Sequence, residues 1–385
     1  MGAGRRRPRP RRAGRPDGRR ARRRRRRQPA RAPPSRRRRT AAPAGHHQRV
    51  QRPAPDARAG GLTGRRGRSR TACPSAPCAG CHSSQMRFSF WTGNSQTWDD
   101  IAEGCIHAGS TGWDGIWFAD HFMPDDVDVD QPVHEAWSVL AAVAALVPDV
   151  RIGPLVAGNT YRNPALTAKI ATTVDHISGG RAVLGIGAGW QENEHAAYGF
   201  DFGTLRSRMD RFDEAVEVIS SLLGGRRTDF AGEHYALADA PLDPKPVQDR
   251  LPLMIGGGGV RRTLRTTARF ADEWNFWGMP DEIAALCDVL DGHCDDVGRD
   301  PAEIARSAVA LLFISEDERA LERFRTRDTG RATIVGTPEE VTEIVGAYRD
   351  VGVGELIVPD FTFGPMERKK ASMDLFIEQV APNFR

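Results

Sequence analysis

One histidine of this 385-residue sequence stands where a protein could use it for chemistry. His121 follows Asp120 directly after residues 115–119, a short apolar run of the kind that forms a buried strand. Imidazoles gain and lose protons near neutrality, which suits general acid–base catalysis. The alternative is a structural histidine that hydrogen-bonds a neighbouring loop. The sequence position alone leaves both interpretations open.

Four consecutive glycines, residues 256–259, follow another apolar run and precede a predicted helix. Val260, Arg261 and Arg262 stand at the start of that helix. Glycine N–H groups at a helix amino terminus, with guanidinium groups beside them, form a binding site for anions. A flexible helix boundary is the alternative, but four glycines before a helix are costly without a ligand. We therefore predict a phosphate site here.

Two further clusters of small residues follow predicted strands. Residues 156–159, which read Val-Ala-Gly-Asn, would let a flat ligand approach the backbone, although a tight turn is the simpler interpretation. Gly187 and Gly189 begin a pattern similar to the dinucleotide fingerprint GxGxxG. The third glycine is missing, because Trp190 is followed by Gln-Glu. We therefore reject dinucleotide binding of that type.

A strand–helix–strand unit in residues 150–194 positions two of these clusters. Residues 151–156 form the first predicted strand, and the helix is predicted over 163–178 with a proline in its first turn. Gly179 and Gly180 end that helix, and the second strand, 182–186, runs into Gly187. Such a unit opens both strand ends at the carboxyl edge of a parallel sheet, where α/β proteins bind ligands.

The same alternation continues from Met86 to the end of the chain. The predicted strands are 87–91, 115–119, 151–156, 182–186, 253–255, 273–276, 306–314 and 355–358. The predicted helices are 98–108, 135–147, 163–178, 206–223, 261–270, 283–297, 338–351 and 371–380, and 228–250 is predicted as an irregular insertion. Eight strands, each followed by a helix, predict an α/β fold of the (β/α)₈ TIM barrel type. A doubly wound sheet is the alternative.

The first 85 residues have a different composition. They contain 27 arginines, no lysine and two acids, Asp17 and Asp56, so they carry +25; the whole chain carries +5, which leaves −20 on residues 86–385. A segment with so few large apolar residues is predicted to be disordered. It could be a nucleic-acid-binding arm, a targeting peptide, or a mis-assigned start before Met86. GC-rich codons spell Arg, Pro, Ala and Gly, which favours the last interpretation.

The cysteines, the hydropathy and the charge of the body argue against three kinds of function: metal binding, membrane insertion and nucleic-acid binding. Cys73, Cys78, Cys81 and His82 lack a standard zinc spacing, so we predict no metal site. Other cysteines in predicted helices suit reduced thiols in a cytoplasmic protein. No apolar run approaches the roughly 18 residues of a membrane span. The acidic body argues against nucleic-acid binding outside the basic segment.

Six stretches of the body carry a family resemblance. They are FWTGNSQTWDDI, GIWFADHFMP, LVAGNTYRNPALTAKIATTVDHISGGR, VLGIGAGWQENEHAAYG, DAPLDPKPVQ and LPLMIGGGGVRRTLR, in this order over 300 residues. The body resembles the bacterial luciferase-like flavin and deazaflavin oxidoreductases, and most of all their actinobacterial branch that uses coenzyme F420. The resemblance implies a TIM barrel over residues 86–385 and a homodimer. It also implies a non-proline cis peptide bond at Leu155-Val156 or one residue later.

The resemblance also implies roles for particular residues. His121 falls on the active-site histidine. The implied cofactor contacts are Asp120, Leu155, Val156, Ala157, Gly158, Gly187, Gly189, Asn193, Gly257, Gly258, Gly259, Val260, Arg261 and Arg262. Trp91, Phe122 and Trp190 are predicted to line the substrate pocket, although each could be a core residue. Two positions depart from the pattern: Trp190 stands where some relatives carry a glutamate acid–base partner, and Pro280 where some carry a cation.

The function implied by the resemblance is hydride transfer between F420 and a small organic substrate, with His121 donating the proton. An FMN-dependent monooxygenase that uses reduced flavin and oxygen is the first alternative. The departure at Pro280 weakens the preference for F420 over FMN. A non-catalytic flavin-binding or nucleic-acid-associated protein is the second. Substrate choice is expected to lie in loops such as residues 123–132 and in the insertion, which carry no readable motif.

Overall fold

The elements of the fold alternate as the sequence predicts. The computed structural model describes residues 85–125, 129–225 and 227–385. Its strands are β1 Arg87–Trp91, β2 Gly115–Phe118, β3 Arg151–Pro154, β4 Ala157–Gly158, β5 Leu184–Gly187, β6 Thr228–Ala231, β7 Ala236–Ala240, β8 Leu253–Gly256, β9 Glu273–Trp277, β10 Ala305–Val309, β11 Leu311–Ile314, β12 Thr333–Gly336 and β13 Glu355–Pro359. Its helices are α1 Trp98–Thr111, α2 Ala136–Leu146, α3 Pro164–Ser178, α4 Glu192–Tyr198, α5 Leu205–Leu223, α6 Thr263–Phe270, α7 Pro280–Val297, α8 Glu318–Arg325, α9 Pro338–Asp350 and α10 Met366–Gln379.

Nine of these strands form one parallel sheet in the order β3-β2-β1-β13-β10-β9-β8-β5-β4. Because β3 and β4 are consecutive pieces of one chain segment, the two ends of the sheet meet. A parallel bridge from Ile152 to Ala182 and a hydrogen bond of 2.9 Å from the Val183 N–H to the Ile152 carbonyl join them. With β3 and β4 counted as one position, the sheet is therefore a closed eight-stranded barrel. The predicted (β/α)₈ barrel is confirmed, and the doubly wound sheet, which would keep two free edges, is excluded.

Local sequence sets the ends of the helix that connects β4 to β5. The Asn163 side chain accepts a hydrogen bond from the Ala165 N–H, and Pro164 occupies the first helical position of α3. Gly179 ends the helix with a φ of 71°, the left-handed conformation that glycine adopts without steric cost. These caps fix where the chain re-enters the barrel as β5.

The barrel interior is arranged in layers along its axis. At the amino-terminal end, Arg151 donates to Glu355 at 2.5 Å and to Glu273. In the next layer the Trp117 indole N–H and the Ser89 hydroxyl also donate to Glu355. Nearer the carboxyl end the interior becomes apolar and aromatic, with Trp91, Trp117, Ala119, Leu155, Val183, Met254, Val309 and Ile357 in one buried cluster. The ionic layer closes the floor of the barrel and leaves the opposite mouth for ligands.

The structure differs from the prediction in two segments and contains three elements that were not predicted. The irregular insertion contains an antiparallel hairpin, β6–β7. The long predicted strand 306–314 is two strands, because β11 leaves the barrel and pairs with β12 in a separate two-stranded sheet. Helices α4 and α8 and strand β12 had not been predicted. A continuous apolar run shows that a segment is buried, but it does not show which sheet buries it.

Several predictions fall outside the described residues. These are the basic segment as far as residue 84, the cysteine and histidine group at 73–82, and residues 126–128 of the predicted specificity loop. Within the described residues, Cys105, Cys287 and Cys294 are buried and form no disulfide. No described helix is both long and apolar enough to cross a membrane.

Candidate functional site

The candidate site lies at the mouth of the barrel, where the carboxyl ends of the strands meet. Trp91 at the end of β1 contacts Trp277 at the end of β9, with 5.5 Å between ring centroids, and Phe361 after β13, at 5.4 Å. Leu155 and Val156, between β3 and β4, belong to the same cluster. The mouth therefore has an aromatic wall, formed by Trp91 and Trp277. A second wall is formed around Val156 by the small residues of the neighbouring strands, and we call it the small-residue wall.

His121 lies at this mouth, just beyond β2, and is held by a buried carboxylate. Its Nδ1 lies 2.8 Å from Oε1 of Glu194. The His121 side chain is 26% exposed and the Glu194 side chain is fully buried. Nδ1 therefore faces the protein, and the partly exposed ring lies at the mouth.

Glu194 collects donors on both of its carboxylate oxygens. The Phe122 N–H donates to Oε2 at 2.7 Å, and the Tyr161 hydroxyl donates to Oε1. Burial alone would raise the pKa of Glu194, but the hydrogen bonds from His121 and from these two groups hold it below its ordinary value. Burial and the same carboxylate raise the pKa of Tyr161. Glu194 is therefore the anion of this group and Tyr161 remains protonated.

Asp120 has a different role from its neighbour. Its carboxylate is gripped by both terminal nitrogens of Arg162, at 2.6 and 3.0 Å, and accepts from the Gly158 N–H at 3.0 Å. Arg162 also bonds Glu135, at the amino end of α2. Asp120 thus fixes the backbone of β4 from within the protein. Its predicted contact with the cofactor stays a prediction.

The small-residue wall is formed around Val156. The peptide bond between Leu155 and Val156 is cis, as predicted. A Cβ added to Gly187 would lie 2.9 Å from a Val156 methyl group, and one added to Gly256 would lie 3.0 Å from both methyl groups. Only glycine leaves room for Val156 on the neighbouring strands. Ala157 and Gly158 continue this wall as β4, which pairs with β5.

The four-glycine run begins with Gly256, the last residue of β8, and leads into α6. Arg262 there bonds Asp210 at 2.6 Å and Asp213, both on α5. Arg261 and Val260 are exposed, and Gly257 has a φ of 121°. A Cβ on Gly258 would meet the Phe276 ring at 2.5 Å, and one on Gly259 would meet the Thr263 hydroxyl at 2.6 Å. The glycines are therefore required by packing as well as by any ligand.

The remaining predicted residues lie around the loop that carries His121. Trp190 is 57% exposed and its ring meets the His121 ring edge-on at 5.5 Å. The Phe122 ring packs against Tyr161, Tyr198 and Phe200. Asn193 donates to the Pro124 carbonyl at 2.7 Å, so its amide fastens the loop. Gly189, with a φ of 83°, turns the chain between β5 and α4.

Sequence reasoning missed the roles of four residues at this site: Tyr161, Arg162, Glu194 and Trp277. Tyr161 and Arg162 come within three residues of the small cluster 156–159, but nothing in the sequence marked them or Glu194 as partners of Asp120 and His121. Glu194 lies in the first turn of α4, a helix that had not been predicted from the sequence.

A flat heteroaromatic cofactor fits this mouth. The indole nitrogens of Trp91 and Trp277 are buried and have no hydrogen-bond partner within the described part of the chain. Such orphaned donors are rare unless a ligand or water accepts from them. Together with the glycine wall, they indicate a site for a ring that presents acceptor atoms.

Comparison with known proteins identifies the family. The sequence profile of the luciferase-like monooxygenase family matches residues 80–328. The chain belongs to this family. The predicted resemblance is confirmed, and so is the prediction of an oxidoreductase.

Two dehydrogenases are among the proteins whose sequences are similar to this chain. An F420-dependent glucose-6-phosphate dehydrogenase from Kineococcus radiotolerans is 34% identical over 231 residues, which is 58% of this chain and 67% of the relative. One from Amycolatopsis mediterranei is 33% identical over 163 residues, 42% of this chain and 48% of the relative. The match thus spans about half to two thirds of the length of these relatives.

Among solved luciferase-like structures, the fold is similar to that of the coenzyme F420 dependent tetrahydromethanopterin reductase from Methanopyrus kandleri. The TM-score is 0.66 at 19% identity, over 78% of this chain and 100% of the other. At this identity the likeness supports the fold, in agreement with the barrel described above.

Proposed function

We propose that this luciferase-like protein is an F420-dependent oxidoreductase that transfers hydride between the deazaflavin and a small organic substrate. The observation that carries the proposal is the His121–Glu194 pair, 2.8 Å apart, at a barrel mouth that suits a flat ring. The names of the two dehydrogenase relatives support F420 as the cofactor. When bound, reduced F420 supplies a hydride to an electron-poor carbon.

The residues that would hold the cofactor form two groups. Val156, Ala157 and Gly158 would contact the ring, beside Gly187. The N–H groups of the run 257–259 and the exposed Arg261 would hold its phosphate at the start of α6. Arg262 is already engaged by two aspartates, so its predicted share in phosphate binding is the less direct one.

His121 would supply the proton that accompanies hydride transfer to a carbonyl. Glu194 keeps Nδ1 occupied, so a protonated His121 offers its Nε2 proton to the mouth. An ionised and fully buried Glu194 stabilises the imidazolium and holds the ring in one orientation. In the reverse direction the same Nε2, deprotonated, accepts the alcohol proton. Glu194 is a positioning residue in this scheme, because it touches His121 rather than the substrate.

Aromatic side chains would limit water at the reacting atoms. Trp91, which is 8% exposed, forms the wall opposite the glycines, and Trp190 covers one edge of His121. A site with little water strengthens the electrostatic interactions within it. Trp277 joins this wall, although the sequence had not suggested it.

Measuring the affinities of the purified protein for reduced F420 and reduced FMN tests the proposal. We expect F420 to bind tightly and FMN at least tenfold more weakly, a difference of about 1.4 kcal/mol. The reverse order, with oxygen consumption, would establish the flavin monooxygenase instead. Binding of neither would leave a non-catalytic role and overturn the proposal.

We also propose that the enzyme acts as a cytoplasmic homodimer and that residues 86–385 suffice for it. Light scattering of the purified protein tests the oligomeric state. A protein that begins at Met86 should fold and bind cofactor as the full chain does. Loss of either on removing residues 1–85 would show that the basic segment belongs to the working enzyme.

A further inference from the structure

Three arginines beside the barrel mouth lack acidic partners. Arg323 on α8, Arg327 just beyond it and Arg368 on α10 have no carboxylate within ion-pair distance in the described ranges. Arg325 lies between the first two and shows the contrast. It bonds Glu318 at 2.5 Å and Glu340 at 2.7 Å. Arg368 does donate from Nε to the Phe363 carbonyl, at 2.8 Å, so its lack of a partner concerns acids only.

The three guanidinium groups surround one cavity. A space of about 640 Å³ is lined by Arg323, Arg327 and Arg368 together with the rings of Phe313 and Phe324. The two rings are stacked, with centroids 4.1 Å apart and planes at 10°. Asp328 also lines the cavity, and its carboxylate accepts from the Gly330 N–H at 2.9 Å. The cavity thus combines an aromatic floor with an excess of positive charge.

This cavity adjoins the candidate site. Phe361 lines it and also contacts Trp91, the inner wall of the mouth, at 5.4 Å. Arg331, another arginine without an acidic partner among the described residues, places its guanidinium 4.7 Å from the centre of the Trp277 ring. Phe361 is therefore shared by the cationic cavity and the aromatic wall of the mouth.

We propose that this cavity binds the carboxylate or phosphate group of a small molecule whose other end lies at the barrel mouth. The ligand assignment rests on the proposed function. Guanidinium groups bind such anions through paired, charge-assisted hydrogen bonds. The arginines come from two separate segments, around α8 and on α10, and converge on one aromatic floor.

Two molecules could carry the anionic group. It belongs either to the substrate, which would make this an enzyme for anionic substrates, or to an acidic part of the cofactor. Both use the same chemistry, so the experiment must separate them.

Arginine modification by phenylglyoxal, mapped by peptide mass spectrometry on the full chain, resolves individual residues despite the basic segment. Inorganic phosphate and phenyl phosphate are the probes, each with and without F420. We expect phenyl phosphate to protect Arg323, Arg327 and Arg368 more than Arg319, an exposed and unpaired arginine of the same helix that does not line the cavity. Equal protection at Arg319 would mean general screening and would overturn the proposal.

The arms with F420 identify the source of the anion. If F420 alone protects the three arginines, the group belongs to the cofactor. If phenyl phosphate still protects them in the F420-bound protein, the group belongs to the substrate. The double variant R327Q/R368Q should weaken phenyl phosphate binding at least tenfold, while R319Q should leave it unchanged. Protection without F420 binding would support the cavity and reject the F420 proposal, so the two failures are distinguishable.

Discussion

Two fully buried glutamates, Glu355 and Glu194, lie at opposite ends of this barrel. Both have a pKa below the ordinary value, although burial opposes this in each case. At the floor, the Arg151 and Arg87 guanidinium groups hold Glu355 ionised. At the mouth, hydrogen bonds from His121, Tyr161 and a backbone N–H do the same for Glu194.

The difference between the two glutamates lies in their partners. Arginine stays protonated at any physiological pH, so the Arg151–Glu355 pair can only hold the strands together. Histidine changes its charge near neutrality, and His121 is partly exposed while Glu194 is not. A buried carboxylate therefore serves stability or chemistry according to whether its partner can release a proton to the outside. The following variants test that comparison.

Replacing His121 by Asn should have the largest effect, because it removes the exchangeable proton at the mouth. We expect kcat to fall by roughly 10²–10⁴ with cofactor affinity nearly unchanged. Steady-state kinetics and F420 titration measure the two quantities. His107→Asn, at a histidine that pairs with Asp374 on the outer helices, is the control and should keep kcat. Preserved kcat with weakened F420 binding would instead make His121 a ring-binding residue.

Replacing Arg151 by Met should affect stability and leave chemistry alone. The variant leaves Glu355 and Glu273 buried without their shared cation, which costs about 3–5 kcal/mol of unfolding free energy. Urea denaturation measures this, and Arg250→Met is the control, because its exposed pair with Asp272 contributes less than about 1 kcal/mol. If Arg151→Met lost no more unfolding free energy than Arg250→Met, the ion pairs at the floor would not stabilise the barrel.

Replacing Glu194 by Gln should act through His121. Removing the anion should lower kcat about 10- to 100-fold, as is typical when the group that orients a functional histidine is lost. The Michaelis constant should change less than kcat, because Glu194 contacts His121 rather than the substrate. Tyr161→Phe keeps the carboxylate and should have a smaller effect. An unchanged kcat would mean that Glu194 only packs.

The same variant has a consequence for stability in acid. The pKa of Glu194 is lowered in the folded protein, so its ionised form contributes stability at pH values above the ordinary glutamate pKa. That contribution is lost as the pH falls through the lowered value. The unfolding free energy of Glu194→Gln should therefore fall less steeply in acid than that of the unchanged protein. Parallel curves would contradict the assignment of Glu194 as an anion.

Replacing Arg261 by Gln should give the smallest effect, confined to cofactor binding. Losing one charge-assisted hydrogen bond to phosphate should weaken F420 affinity about tenfold. Arg262→Gln is the matched neighbour; its aspartate partners are part-exposed, so it should cost less than about 1 kcal/mol of stability and change affinity less. The opposite ranking would place the phosphate on Arg262.

The barrel itself could be predicted from the sequence because its signals are local. Apolar runs predicted the strands of the barrel, and Asn163, Pro164 and Gly179 predicted the ends of α3. The boundaries failed where the signal was not local: residues 306–314 read as one strand, yet β10 and β11 belong to different sheets. Nothing in an apolar run records which neighbours it will pair with.

The sequence by itself determined the residue types of the site and their order: a histidine after the second strand, small residues after the third, and glycines after the fourth and fifth. Only the tertiary structure decided their partners. Asp120 and His121 are adjacent in sequence, but one pairs with Arg162 inside the protein and the other with Glu194 at the mouth. Glu194 lies 73 residues from His121 along the chain. Closing the barrel brings these two residues together. His121 therefore pairs with Glu194, which is distant in sequence, and not with the adjacent Asp120.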